Sequence, residues 1–120
     1  MKSILAVLVF FVAVNVSFAQ ERAVVKNKSE LTSIKSSGEG SITLPSNLTN
    51  ELVQAKAKYY THYFSVEFNE KSKVATIKMV DNTERSRAVI VRFLAACDVN
   101  EVDVEGTIVN RDDIFVNYLK

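Results

Sequence analysis

The stretch "YFSVEFNEKSKVATIKMV" constrains the fold more than any other part of this chain. Phe64, Val66 and Phe68 alternate with Ser65 and Glu67, and Ala75, Ile77 and Met79 alternate with Thr76 and Lys78. Alternation at period two sends one set of side chains to each face of a strand. The polar run 69–72 between the two halves predicts a β-hairpin with one buried and one wet face. A lone hairpin is marginal in water, so the rest of the chain has to supply neighbouring strands and covering helices.

The flanking segments read accordingly. "SITLP" is a short strand, with Ile42 and Leu44 on one side of Thr43 and Pro45 ending it. Leu48, Leu52, Ala55 and Tyr59 recur at helical spacing and predict a helix packed through that face. Asp81 followed by Glu84 predicts a capping box. It opens a second helix with an apolar face of Val89, Ile90, Phe93, Leu94 and Cys97. "NEVDVEG" alternates, with Val102 and Val104 inward and Gly106 as its end; Asn110 then caps a short helix carrying Ile114, Phe115, Tyr118 and Leu119. The order predicts an α+β fold, a ferredoxin-like βαββαβ sandwich with a short C-terminal helix. Right-handed crossovers set the strand order 4-1-3-2 in a four-stranded antiparallel sheet.

The chain opens "MKSILAVLVFFVAVNVSFAQ". Lys2 precedes an apolar run of about 11 residues, which suits a signal-peptide core and falls short of the ~20 needed to span a bilayer. Ser17 and Ala19 stand at the −3 and −1 positions of a cleavage site, so residues 1–19 read as a signal peptide and the exported chain begins at Gln20. After leader removal nothing in the chain is membrane-spanning, and its location is periplasmic or extracellular. Residues 20–39 are polar, with Leu31 and Ile34 as scarce apolar anchors, and read as a flexible spacer. The folded domain is then 40–120. Asn27 and Asn47 lie in N-x-S/T sequons, which matter only in hosts that glycosylate exported proteins.

Charge excludes one broad class. Without Lys2, basic and acidic residues are equal in number, so the chain lacks the basic footprint of a nucleic-acid binder. Basic residues predominate across 56–92 and acidic ones across 98–113. Cys97 is the single cysteine and cannot form an internal disulfide, so stability has to come from the apolar core.

With its elements in this order, the domain resembles the heavy-metal-associated (HMA) domain, the family of copper chaperones and of metal-binding modules in metal-transporting ATPases. "ELVQAKAKYYTHYFSVEFNEKSKVATIKM" resembles that family's first helix, second strand and third strand, and "AVIVRFLAACDVNEVDV" its second helix and last strand. The family's metal chemistry lies in a Met-x-Cys-x-x-Cys motif between the first strand and first helix. Here "LPSNLT" places Leu44 at the Met position and Ser46 and Thr49 at the two Cys positions. Soft thiolates suit Cu(I) and also hold Zn(II), whereas a neutral hydroxyl is a poor ligand for either. The resemblance therefore implies a degenerate member without the metal motif, with no cofactor. Read from the residues alone, Pro45 ends the strand and Ser46 or Asn47 caps the helix that follows.

Other chemistry-bearing residues carry plainer readings. Cys97 reads as a small core hydrophobe rather than a reactive thiol, at the C-terminal end of the second helix, which is expected to lie away from the 44–49 loop. His62 sits among Tyr59, Tyr60, Tyr63 and Phe64 without a metal-ligand partner or a nearby carboxylate that would make it a general base. Glu101, Asp103 and Glu105 share one side of the last strand. They are weak candidates for a cation, and a solvated, charged edge strand is the favoured reading. With no nucleophile–base set or phosphate loop, the chain reads as a non-enzymatic binding or interaction domain whose partner is an unknown protein or small ligand. Metal handling through a nonstandard site is the alternative.

Overall fold

The computed structural model describes residues 22–120. The expected signal peptide and its cleavage site lie outside the described residues. In chain order the elements are β1 (Ala23–Val25), α1 (Ser29–Ser37), β2 (Glu39–Thr43), α2 (Asn50–Ala57), β3 (Phe64–Asn69), β4 (Val74–Met79), α3 (Glu84–Ala96), β5 (Glu101–Val104), β6 (Thr107–Asn110) and α4 (Arg111–Ile114). A 3-10 turn (Lys58–Tyr60) extends α2, and a π-helical turn (Phe115–Leu119) extends α4. Among the described residues the fold is α+β: one six-stranded mixed sheet in the order β3-β4-β2-β1-β5-β6, with four helices.

The hairpin has the expected register, pairing Phe64 with Met79, Val66 with Ile77 and Phe68 with Ala75. Gly40 and Ile42 of β2 continue these rows against Ile77 and Ala75. Phe64, Val66, Ala75, Ile77 and Ile42 are buried, while Ser65, Glu67 and Lys78 on the alternate face are exposed. One face of the sheet thus holds the core and the other is solvated, as antiparallel pairing permits.

The expected flexible spacer at 20–39 is corrected. Its residues 23–25 form β1 and 29–37 form α1, and Ala23, Val25, Leu31 and Ile34 are all at most 1% exposed. β1 runs antiparallel to β2 through Val24–Thr43 and parallel to β5 through Ala23–Val102, Val24–Asp103 and Val25–Val104. The expected four-stranded order 4-1-3-2 is corrected with it, because the first and fourth expected strands, β2 and β5, are separated by β1. The physical reason is that four well-placed apolar side chains suffice once an existing sheet and helix layer supply the rest of their contacts. A segment's mean polarity does not register four such anchors.

Helix ends also differ from the capping expectation. Thr83, not Asp81, is the N-cap of α3: its Oγ1 accepts from Ser86 N at 3.1 Å. The Asp81 carbonyl instead accepts from Thr83 N in a tight turn, which delays the helix by two residues. Such a cap contributes about 1 kcal/mol. At the other end Asp98 adopts φ +60°, Asp98 N donates to Ala95 O and Val99 N to Leu94 O. That is a Schellman closure with Val99 packed near Leu94, both fully buried, as its hydrophobic contact. Gly106 does not end the chain's extended region. Glu105 (φ +52°) and Gly106 (φ +90°) make a two-residue hairpin turn into β6, whose mostly exposed residues show no period-two burial.

Candidate functional site

The site singled out by the sequence is the "LPSNLT" loop, residues 44–49. Leu48 N donates to the Pro45 carbonyl at 3.2 Å, closing a turn through Ser46 and Asn47. Thr49 is the N-cap of α2, its Oγ1 accepting from Leu52 N at 3.2 Å. The cap is therefore at Thr49 rather than at Ser46 or Asn47, which are exposed turn residues. The loop is tied to the hairpin: Leu44 N donates to the Lys73 carbonyl, Lys73 Nζ to the Leu48 carbonyl at 2.7 Å, and Asn50 N to Glu70 Oε1 at 2.7 Å.

A thiolate-type metal does not fit these residues. One of the two oxygens at the motif positions, Thr49 Oγ1, already accepts a backbone N–H, and Ser46 offers a neutral, hard hydroxyl. Among the described residues no group of three or more His, Cys, Asp and Glu side chains could hold a metal ion.

Cys97 is placed differently from expectation. The sequence reading set the end of α3 away from the loop, yet Cys97, Asp98 and Asn100 line a cleft of about 390 Å³ together with Pro45 and Asn47. The topology dictates this. β4 runs antiparallel to β2, so α3 starts at the end of the sheet where β2 begins and returns its C-terminus to the end where β2 finishes and the loop starts. Burial pushes the Cys97 thiol up to about 11; nearby Lys56 opposes that and Asp98 adds to it. The thiol is 4% exposed and protonated at neutral pH, which makes it a core side chain and a poor nucleophile.

The three weak cation candidates do not converge on a common point. Glu101 Oε1 meets Arg22 Nη2 at 3.2 Å, Asp103 Oδ1 accepts from Gly106 N at 2.8 Å, and Glu105 Oε2 accepts from Lys28 N at 2.6 Å. Glu101 and Glu105 thus grip the chain on either side of β1, and Asp103 closes the β5–β6 turn. His62 is exposed, its ring edge-on to Tyr63 at 5.6 Å.

The surface that sequence reasoning missed is on α2. The stripe Leu48, Leu52, Ala55, Tyr59 was expected to face inward, but Val53 and Ala57 do so, with Leu48 from the preceding loop. Leu52 is 41% and Tyr59 73% exposed, and the Tyr59 ring has Lys58 Nζ 5.4 Å from its centre. Two apolar stripes coexist in "LTNELVQAKAKYY". Gln54 Nε2 donates to the Val66 carbonyl of β3 at 3.1 Å, a bond consistent with the Val53–Ala57 stripe turned inward.

Comparison with known proteins finds no match among protein-family models, curated proteins or solved structures.

Proposed function

We propose that this chain is an exported, non-enzymatic binding domain with an HMA-like, ferredoxin-type architecture that has lost the thiolate site. The observation that carries binding over chemistry is the outward face of α2. Leu52 and Tyr59 lie two turns apart on one side, large and apolar yet unburied, beside the cationic Lys58. An exposed tyrosine beside an apolar neighbour is a composition enriched at interaction surfaces. The use of Thr49 as a cap and the protonated, buried Cys97 support the loss of metal chemistry. The fold reading is supported by β2, α2, β3, β4, α3 and β5 following one another in βαββαβ order, with β1 as an insertion between β2 and β5. Among the described residues no helix is long and apolar enough to cross a membrane.

The reading is tested by comparing wild type with Leu52→Ser/Tyr59→Ser as baits in envelope extract, after matching their urea midpoints. A partner captured by wild type and lost in the double variant is the expected result; equal capture would remove this face from the proposal. Titration of the reduced domain with Cu(I) against a competing chelator is expected to show no tight one-to-one binding. Tight binding would favour metal handling instead.

Export has its own check. Intact-mass measurement of the native located protein is expected to place the N-terminus at Gln20, and a retained Met1 would end that part of the proposal.

A further inference from the structure

Arg87 on α3 is 8% exposed, yet its guanidinium meets only neutral oxygens in its hydrogen bonds. Nε donates to the Leu119 carbonyl at 2.6 Å, and Nη1 donates to the Asn82 carbonyl at 3.3 Å and to Asn82 Oδ1 at 2.7 Å. No carboxylate among the described residues forms an ion pair with it. A buried guanidinium without a counter-charge depends on its hydrogen bonds to offset its desolvation, so the bonds to Leu119 and Asn82 hold the closed state, and losing the one to Leu119 leaves that carbonyl unpaired.

What Arg87 holds is the end of the 111–120 segment. Arg111 is the anchored side: its N–H donates to the Asn100 carbonyl, and Nη1 to the Val99 carbonyl and Asn100 Oδ1. Beyond it the segment is thinly secured. Ile114 and Leu119 are fully buried, Phe115 and Tyr118 half-buried, and Val116 63% exposed. After one α-helical turn the backbone passes into the π-helical turn, a rare geometry that often marks a functional or strained site. Two deep anchors, the half-buried Phe115 and Tyr118 rings packed against the core, and one clasp must offset the conformational entropy of nine ordered residues.

We propose that residues 112–120 form a latch that opens as a unit while the rest of the fold stays intact, with the Arg87–Leu119 hydrogen bond as its clasp and Arg111 as its hinge. The closed latch packs on α1 and α3. Opening hydrates the guanidinium and bares the apolar faces of those two helices. The latch is independent of the α2 surface and stands or falls separately from it.

Native-state hydrogen exchange on the full chain tests this. Amides 115–120 are expected to share one opening equilibrium and to exchange at least about 100-fold faster than Ile90, Phe93 and Leu94 of α3, as sub-global units do. Leu119→Ala is expected to raise latch exchange at least about tenfold and leave the α3 rates unchanged. Arg87→Met is expected to raise latch exchange as well. Exchange of the latch together with α3 would overturn the proposal. So would a smooth gradient toward residue 120, which is simple fraying, or a fall in α3 protection on Leu119→Ala equal to that of the latch. Latch rates unchanged by Arg87→Met would remove the clasp.

Discussion

Gly40→Ala is expected to destabilise this protein by about 3 kcal/mol or more. α1 crosses over β2 at this residue. A Cβ there would collide with the Glu30 carbonyl oxygen and stand 2.6 Å from Ile34 Cγ1. The first contact is with helix backbone, which cannot rotate aside as a side chain can. Relief requires lifting α1 from the sheet, and α1 is held by Ile34 and Leu31 in the core and by Glu30 Oε2 accepting from Ser41 N at 2.9 Å. Overpacking a core typically costs ~1–3 kcal/mol, and a clash with backbone belongs at or above the top of that range. Against a total stability on the order of 5–15 kcal/mol the loss is large. A urea titration checks it, with Gly106→Ala as the comparison. Gly106 also has positive φ but meets nothing within 4 Å, so its substitution costs only the conformational strain, about 1 kcal/mol. Equal midpoints for the two variants would show that α1 does not lie where the structure places it.

Phe93→Ala is expected to cost about 3–5 kcal/mol, the range for deleting a fully buried aromatic ring. Phe93 is 0% exposed and sits edge-on to both Phe64, at 5.9 Å, and Tyr60, at 6.2 Å. It joins α3 to the hairpin and to the 3-10 turn after α2. Its loss opens a cavity between three elements rather than beside one. The denaturant midpoint should fall steeply, while Tyr59→Ala, at an exposed position, should leave it within about 0.5 kcal/mol of wild type. A wild-type midpoint for Phe93→Ala would mean that these rings are not the core.

The hairpin, the apolar face of α3 and the Asn110 cap were all legible in the sequence because each depends on neighbours a few residues away. Phe64, Val66, Ala75 and Ile77 point the same way whatever else the chain does, since period two is a property of a strand's own backbone. Val89, Ile90, Phe93, Leu94 and Cys97 fill one helical stripe with no competing stripe, and all five are buried. Asn110 accepts from Asp112 N within its own turn. The positions that misled depend on distant partners. β1 is three residues long and exists because β2 and β5 present open edges on either side of it. Glu101, Asp103 and Glu105 read as the charged face of an edge strand, but β5 lies between β1 and β6, and the partners of Glu101 and Glu105 prove to be Arg22 and the Lys28 backbone, far away in sequence. α2 has two apolar stripes of similar strength, and packing against the sheet turns Val53 and Ala57 inward while Leu52 and Tyr59 stay exposed. Cys97 stands beside the 44–49 loop because successive reversals of the chain bring the end of α3 back to the end of β2. Local geometry sets the direction of a side chain; which surface then meets it is a matter of packing energy summed over elements far apart in the chain, and no window of neighbouring residues contains that sum.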